Sequence, residues 1–124
     1  MFELAIDGTV YQFKFGIGFV KDMSKTAQRP IDGVPGKMED VGLTLAIGRV
    51  MDGDVLGLID VLYAANKGFE PRITKDKLGN YIDSEETDID ALFKDVLDFF
   101  EKANATKKAT KNLLEIVERQ KMNQ

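Results

Sequence analysis

Reactive chemistry in this chain would have to come from carboxylates, amines, hydroxyls or a metal, because the 124 residues include no His and no Cys. The usual general base at neutral pH and the usual nucleophile are therefore both missing. Loss of Cys also excludes disulfides, zinc thiolate sites and iron–sulfur clusters. Two acid pairs are close enough in sequence for glycosidic or metal-assisted chemistry, Asp52 with Asp54 and Glu85 with Glu86. Both fall in predicted turns and caps, where acids are favoured for structural reasons. Asp52-Gly53-Asp54 lacks the further acids of a calcium loop. Gly16-Ile17-Gly18 lacks the third glycine of a dinucleotide fingerprint and no βαβ unit follows it. The lysines after residue 106 have no interleaved aromatic residue for stacking on nucleic acid. No catalytic, cofactor-binding or metal-binding residue is expected, and by elimination the chain reads as a helical binding or assembly module rather than an enzyme.

The elements that would carry such a module follow from pattern and punctuation. Phe2-Glu3-Leu4-Ala5-Ile6 and Val10 to Phe15 alternate about Asp7-Gly8, a type I′ turn dipeptide, which predicts a β-hairpin. Phe19 and Met23 share one side of a short helix, and Gln28 to Lys37, with Pro30, Gly33, Pro35 and Gly36, reads as a mobile loop. Helices are predicted over Met38 to Met51, diluted by Gly42 and Gly48, and from Val55 to Ala65, capped by Asp54. Thr74 is placed to cap a short helix through Asp83, and Thr87-Asp88-Ile89-Asp90 has the form of a capping box. The best stripe comes next, with Ile89, Leu92, Phe93, Val96, Leu97 and Phe100 on one face and Phe99 off it, exposed as a candidate contact. Leu113, Leu114, Ile116 and Val117 predict a last amphipathic helix with a basic polar face. Such a helix could pack on its own domain, pair with a partner helix or fray.

The fold class expected is mainly α, an N-terminal hairpin followed by five or six short helices in one small domain spanning 1–124. Its parts would be a hairpin over 1–15, a helical core over 16–105 and a basic C-terminal helix over 107–124. The net charge of −4 argues against generic nucleic-acid binding. Charge is unevenly placed, though. From Asp83 to Glu101, eight acids (Asp83, Glu85, Glu86, Asp88, Asp90, Asp95, Asp98, Glu101) face Lys94 alone, which gives −7. From Lys107 onward, five bases (Lys107, Lys108, Lys111, Arg119, Lys121) meet Glu115 and Glu118, which gives +3. The simplest expectation is two solvated helix faces that attract each other. No basic leader or long apolar run indicates secretion or membrane insertion.

Several stretches, in order, resemble the tail assembly chaperones of long-tailed phages and prophages of Gram-positive bacteria. They are Tyr11-Gln12-Phe13-Lys14-Phe15-Gly16, Gly42-Leu43-Thr44-Leu45-Ala46-Ile47-Gly48 and Asp60-Val61-Leu62-Tyr63-Ala64-Ala65, followed by Pro71-Arg72-Ile73-Thr74, Asp88-Ile89-Asp90-Ala91-Leu92-Phe93 and Asn104-Ala105-Thr106-Lys107-Lys108. The resemblance implies a non-catalytic protein of the host cytoplasm that coats the tape measure protein and recruits major tail protein. Such a protein self-associates, binds neither nucleic acid nor membrane, needs no cofactor and is absent from the mature virion. It also implies that a frameshifted, longer product can accompany the short form. The candidate protein-binding residues are Leu92, Val96, Phe99, Phe100, Leu113, Ile116 and Val117. The alternative is a structural tail component, a terminator or connector subunit.

Overall fold

A computed structural model of the chain describes residues 1–123; Gln124, the last residue of the expected C-terminal helix, lies outside them. The first strands, β1 (Phe2–Ile6) and β2 (Thr9–Phe13), pair antiparallel with Phe2 opposite Phe13 and Ile6 opposite Thr9. Asp7 and Gly8 between them both have positive φ, 52° and 78°, as the predicted two-residue turn requires. Phe2 and Ile6 of β1 and Tyr11 and Phe13 of β2 are buried, whereas Val10 points out. An isolated two-stranded hairpin is marginal in water, and this one is held by the helices. The Lys14 amide donates to the Ala65 carbonyl at 2.9 Å at the end of β2.

Among the described residues six helices follow the first hairpin: α1 (Ile17–Ser24), α2 (Gly42–Met51), α3 (Val55–Asn66), α4 (Lys75–Asp83), α5 (Ile89–Lys102) and α6 (Lys107–Met122). The result is the expected mainly α domain with a minor β part. Helix α2 is central, since it packs against α1, α3, α5 and α6. Its first residue explains a glycine that propensity alone would disfavour. A Cβ on Gly42 would lie 1.9 Å from the Met23 carbonyl oxygen and 2.4 Å from Thr26 Oγ1, so only glycine lets the end of α1 touch the start of α2.

Two expectations are corrected between α1 and α2. The segment read as a loop over Gln28 to Lys37 contains a strand, β3 (Gln28–Pro30), which pairs antiparallel with β4 (Met38–Asp40), and the helix expected from Met38 begins at Gly42. Proline and glycine obscured the ribbon because they mark its turn. Its pairing has little apolar alternation to announce it, and charged or amide groups stabilise it instead. Gln28 Nε2 donates to Asp40 Oδ1, and Arg29 forms an ion pair with Glu39. Both strands are exposed along almost their whole length.

Helix starts follow local chemistry. Asp54 accepts hydrogen bonds from the Leu56 and Gly57 amides at the head of α3, and Thr74 accepts from the Lys77 amide at the head of α4. At α5 the expected capping box is replaced by a simpler cap. Asp88, not Thr87, accepts from the Ala91 amide, because the Thr87 hydroxyl donates to the Tyr81 carbonyl at the end of α4. A charged acceptor at the helix N-terminus also suits the dipole better than a hydroxyl.

Candidate protein-binding surface

The candidate residues divide between two helices with opposite fates. On α5, Leu92, Val96 and Phe100 are buried, Val96 and Phe100 completely. They are the interior-facing stripe of the helix, packed with residues of β1, β2, α1, α2 and α3 in one continuous core. Phe99, expected to be exposed, is half-buried, because the N-terminal strand covers that side of α5. Its ring meets Phe2 edge-on with centroids 5.2 Å apart and lies 6.2 Å from Phe15. Phe15 in turn meets Phe19 and Phe100 at 5.2 Å and 5.1 Å. Edge-to-face pairs of this kind contribute about 0.5–1.5 kcal/mol each beyond area burial. Phe99 thus belongs to an aromatic cluster that closes the hairpin over the helices.

Helix α6 is different. Its first two turns are fixed by buried hydroxyls that sequence pattern gave no reason to single out. Thr106 Oγ1 donates to the Phe100 carbonyl at 2.8 Å, and Thr110 Oγ1 donates to the Thr106 carbonyl at 2.8 Å and reaches that of Phe100 at 3.3 Å. The last carbonyls of a helix have no partner within it, so these threonines satisfy the end of α5 while binding α6 to it. Leu113 is half-buried and packs near Gly48 of α2. Beyond that point the helix leaves the interior. Leu114 and Val117 are half-buried and Ile116 is 48% exposed. Residues 118–123 are exposed throughout.

Electrostatics separate the two helices further. On the outer face of α5, Asp98 accepts from Lys94 at 2.9 Å and raises the pKa of that amine. Among the described residues no ion pair joins the acids of α5 to the bases of α6, so the expected mutual attraction does not take the form of contacts. Leu114, Lys107, Lys108, Lys111 and Glu101 instead line an open cleft of about 470 Å³ between the two helices.

Several other polar groups are engaged within the fold. Asp54, one of the paired acids, takes the Arg49 guanidinium at 2.8 Å as well as capping α3, and that hydrogen bond first, then those from the backbone, holds its carboxyl below the usual range. Asp60 links Arg49 and Lys75, each at 3.3 Å. The fully buried Asn66 is the last residue of α3. Its amide donates to the Gln12 carbonyl at 2.9 Å, and its oxygen accepts from the Ile73 amide at 2.8 Å and Arg72 Nη1 at 3.0 Å. A helix-terminal Asn is common enough that only the distant partners reveal its role. Among the described residues, no three acidic side chains gather as a metal site and no helix is long and apolar enough to cross a membrane.

The model of the family described as phage tail assembly chaperone protein, TAC, matches residues 3–115. No curated protein and no solved structure matches. The matched span covers both ribbons, the helices α1 to α5 and the latched part of α6, and leaves Ile116 and Val117 just past its end. Spanning nearly the whole sequence, it shows that the chain belongs to the phage tail assembly chaperone family.

Proposed function

We propose that this chain is a non-catalytic chaperone that binds the tape measure protein, recruits major tail protein as the tube grows, and leaves before the particle is finished. It acts in the host cytoplasm and self-associates along its client. Family membership supports a part in tail assembly. The observation that carries the finer reading is the far end of α6, where Leu114, Ile116 and Val117 continue the stripe of Leu113 beyond the interior that holds the first two turns. A long helical client needs such a surface, because apolar groups spaced i, i+3 and i+4 on one helix meet those of another. The α5 residues Leu92, Val96 and Phe100 serve this surface indirectly, by fixing the helix on which α6 is hung.

Co-expression tests the reading. The tape measure protein is expected to be soluble with this chain and insoluble without it, and Ile116→Ser with Val117→Ser is expected to weaken retention while leaving the chaperone folded. Equal solubility of the client in the presence and absence of this chain would overturn the proposal. Mass spectrometry of purified particles separates it from a terminator or connector subunit, which would remain in the virion.

A further inference from the structure

Two open depressions flank the joint between β2 and α1, and both are lined by Lys14, Gly16 and Ile17. One, of about 630 Å³, lies against the end of α3 and adds Lys21, Asp22 and Lys67. The other, of about 590 Å³, lies against the end of α5 and adds Lys102 to a wall that includes Phe99, Ala103 and Ala105. Ile17 stands at the boundary between them, 63% exposed. A Cβ on Gly16 would come within 3.1 Å of Lys14 Cε, so the bare glycine lets the lysine stem lie across that boundary. Among the described residues Asp22 is the sole carboxylate of either lining, and it accepts from Lys67 at 3.2 Å. Lys14, Lys21 and Lys102 are in no ion pair among those residues. Four lysines against one aspartate leave +3 along this groove, on a chain whose net charge is −4.

We infer that this groove binds an acidic segment of another protein, an extended stretch in which carboxylates flank a large apolar residue. The apolar side chain fits the α5 side, where the exposed Ile17 and the half-buried Phe99 offer hydrocarbon and ring. The carboxylates fit the lysines of the α3 side. Ammonium groups on flexible stems suit several carboxylates in no fixed geometry, rather than one planar group held bidentately. Charge complementarity also decides against other occupants. A nucleic acid extends far past a patch of this size and would run onto acids elsewhere on the surface, whereas a short segment meets only charge within about 8 Å, the Debye length at physiological ionic strength. The chain's own acidic turn, Ser84 to Asp88, carries no apolar side chain for the α5 side. The inference goes beyond the client-binding reading of α6 and does not depend on it, since none of Leu114, Ile116 and Val117 lines either depression.

Selection from a random dodecapeptide display library on the full chain is the test. The binders are expected to be enriched in Asp and Glu around a Phe, Leu or Ile. A fluorescein-labelled copy of an enriched peptide, followed by anisotropy, is expected to bind Lys14→Glu with Lys21→Glu about tenfold more weakly than wild type, and Lys14→Arg with Lys21→Arg as well as wild type. Both side chains are exposed, so these variants should fold, which circular dichroism checks. On the wild-type chain, amide shifts caused by the peptide should fall within residues 14–21, 64–69 and 99–105, which locates the site without any substitution. A library with no acidic enrichment overturns the inference, as does a peptide that binds the folded charge-reversed variant equally or shifts other residues. A labelled single-stranded oligonucleotide that binds wild type and not that variant would give the groove to nucleic acid, and self-association lost in that variant would give it to a second copy; either result overturns the inference.

Discussion

Helices α5 and α6 are neighbours with similar apolar stripes, yet one is sealed and the other is open. Successive turns of α5 each place a side chain, Leu92, Val96 and Phe100, beyond reach of water, while α6 has a single buried residue, Thr110. A stripe therefore records that a helix face needs a partner, not where the partner comes from. In α5 it comes from the same chain, through β1, α1 and α2. The far half of α6 outruns these neighbours, so that Leu114 and Val117 are only half-buried and Ile116 is exposed.

The difference can be broken first where the expected effect is largest. Phe100→Ala removes a ring at the centre of the aromatic cluster and should cost about 3–5 kcal/mol, read as a large drop in the urea midpoint. A shift no greater than that of an exposed substitution would mean that α5 is not the interior helix. Thr110→Val keeps the shape but removes the hydroxyl that joins α6 to α5. About 1 kcal/mol is expected, with earlier hydrogen exchange in α6 than in α5. Exchange that rises equally in both helices would show that they open as one unit.

Acid sharpens the contrast at the other end of the interior. The Asp54 carboxyl is held below its usual value of 3.8, first by Arg49 and then by the α3 amides. Its contribution is therefore complete above that value and is lost as pH falls through the lower folded-state value. The melting temperature should decline on acidification below about pH 4, and Asp54→Asn should flatten that part of the curve. The smallest stability effect is expected from Ile116→Ser, within about 0.5 kcal/mol in a thermal melt, even though the same change should reduce client retention. A destabilisation of about 2 kcal/mol or more would place Ile116 in the interior with Phe100.

Much of this architecture could be read from residue order. Asp7-Gly8 announced the hairpin, Asp54 and Thr74 marked two helix starts, and the 89–100 periodicity found the interior face of α5. What escaped depended on partners far along the chain. Phe99 lies off the stripe of its own helix, and only the arrival of Phe2 makes it part of the interior. Asn66 has the appearance of a helix stop until Gln12 and Ile73 are brought to it. For the proposed binding surface, the pattern at Leu113 to Val117 identified apolar groups, but it could not say that α6 outruns the interior beneath it, since that depends on where α2 and α5 end.

The ribbon of β3 and β4 has a practical corollary. Its turn, with Gly33 and Gly36 at positive φ, stands clear of the buried interior. Lengthening the chain between Asp32 and Pro35 would extend a closed loop, whose entropic cost of closure rises by only about 0.6 kcal/mol for each doubling. A fluorophore or epitope spliced there would give this small protein a handle by which it could be followed during tail assembly.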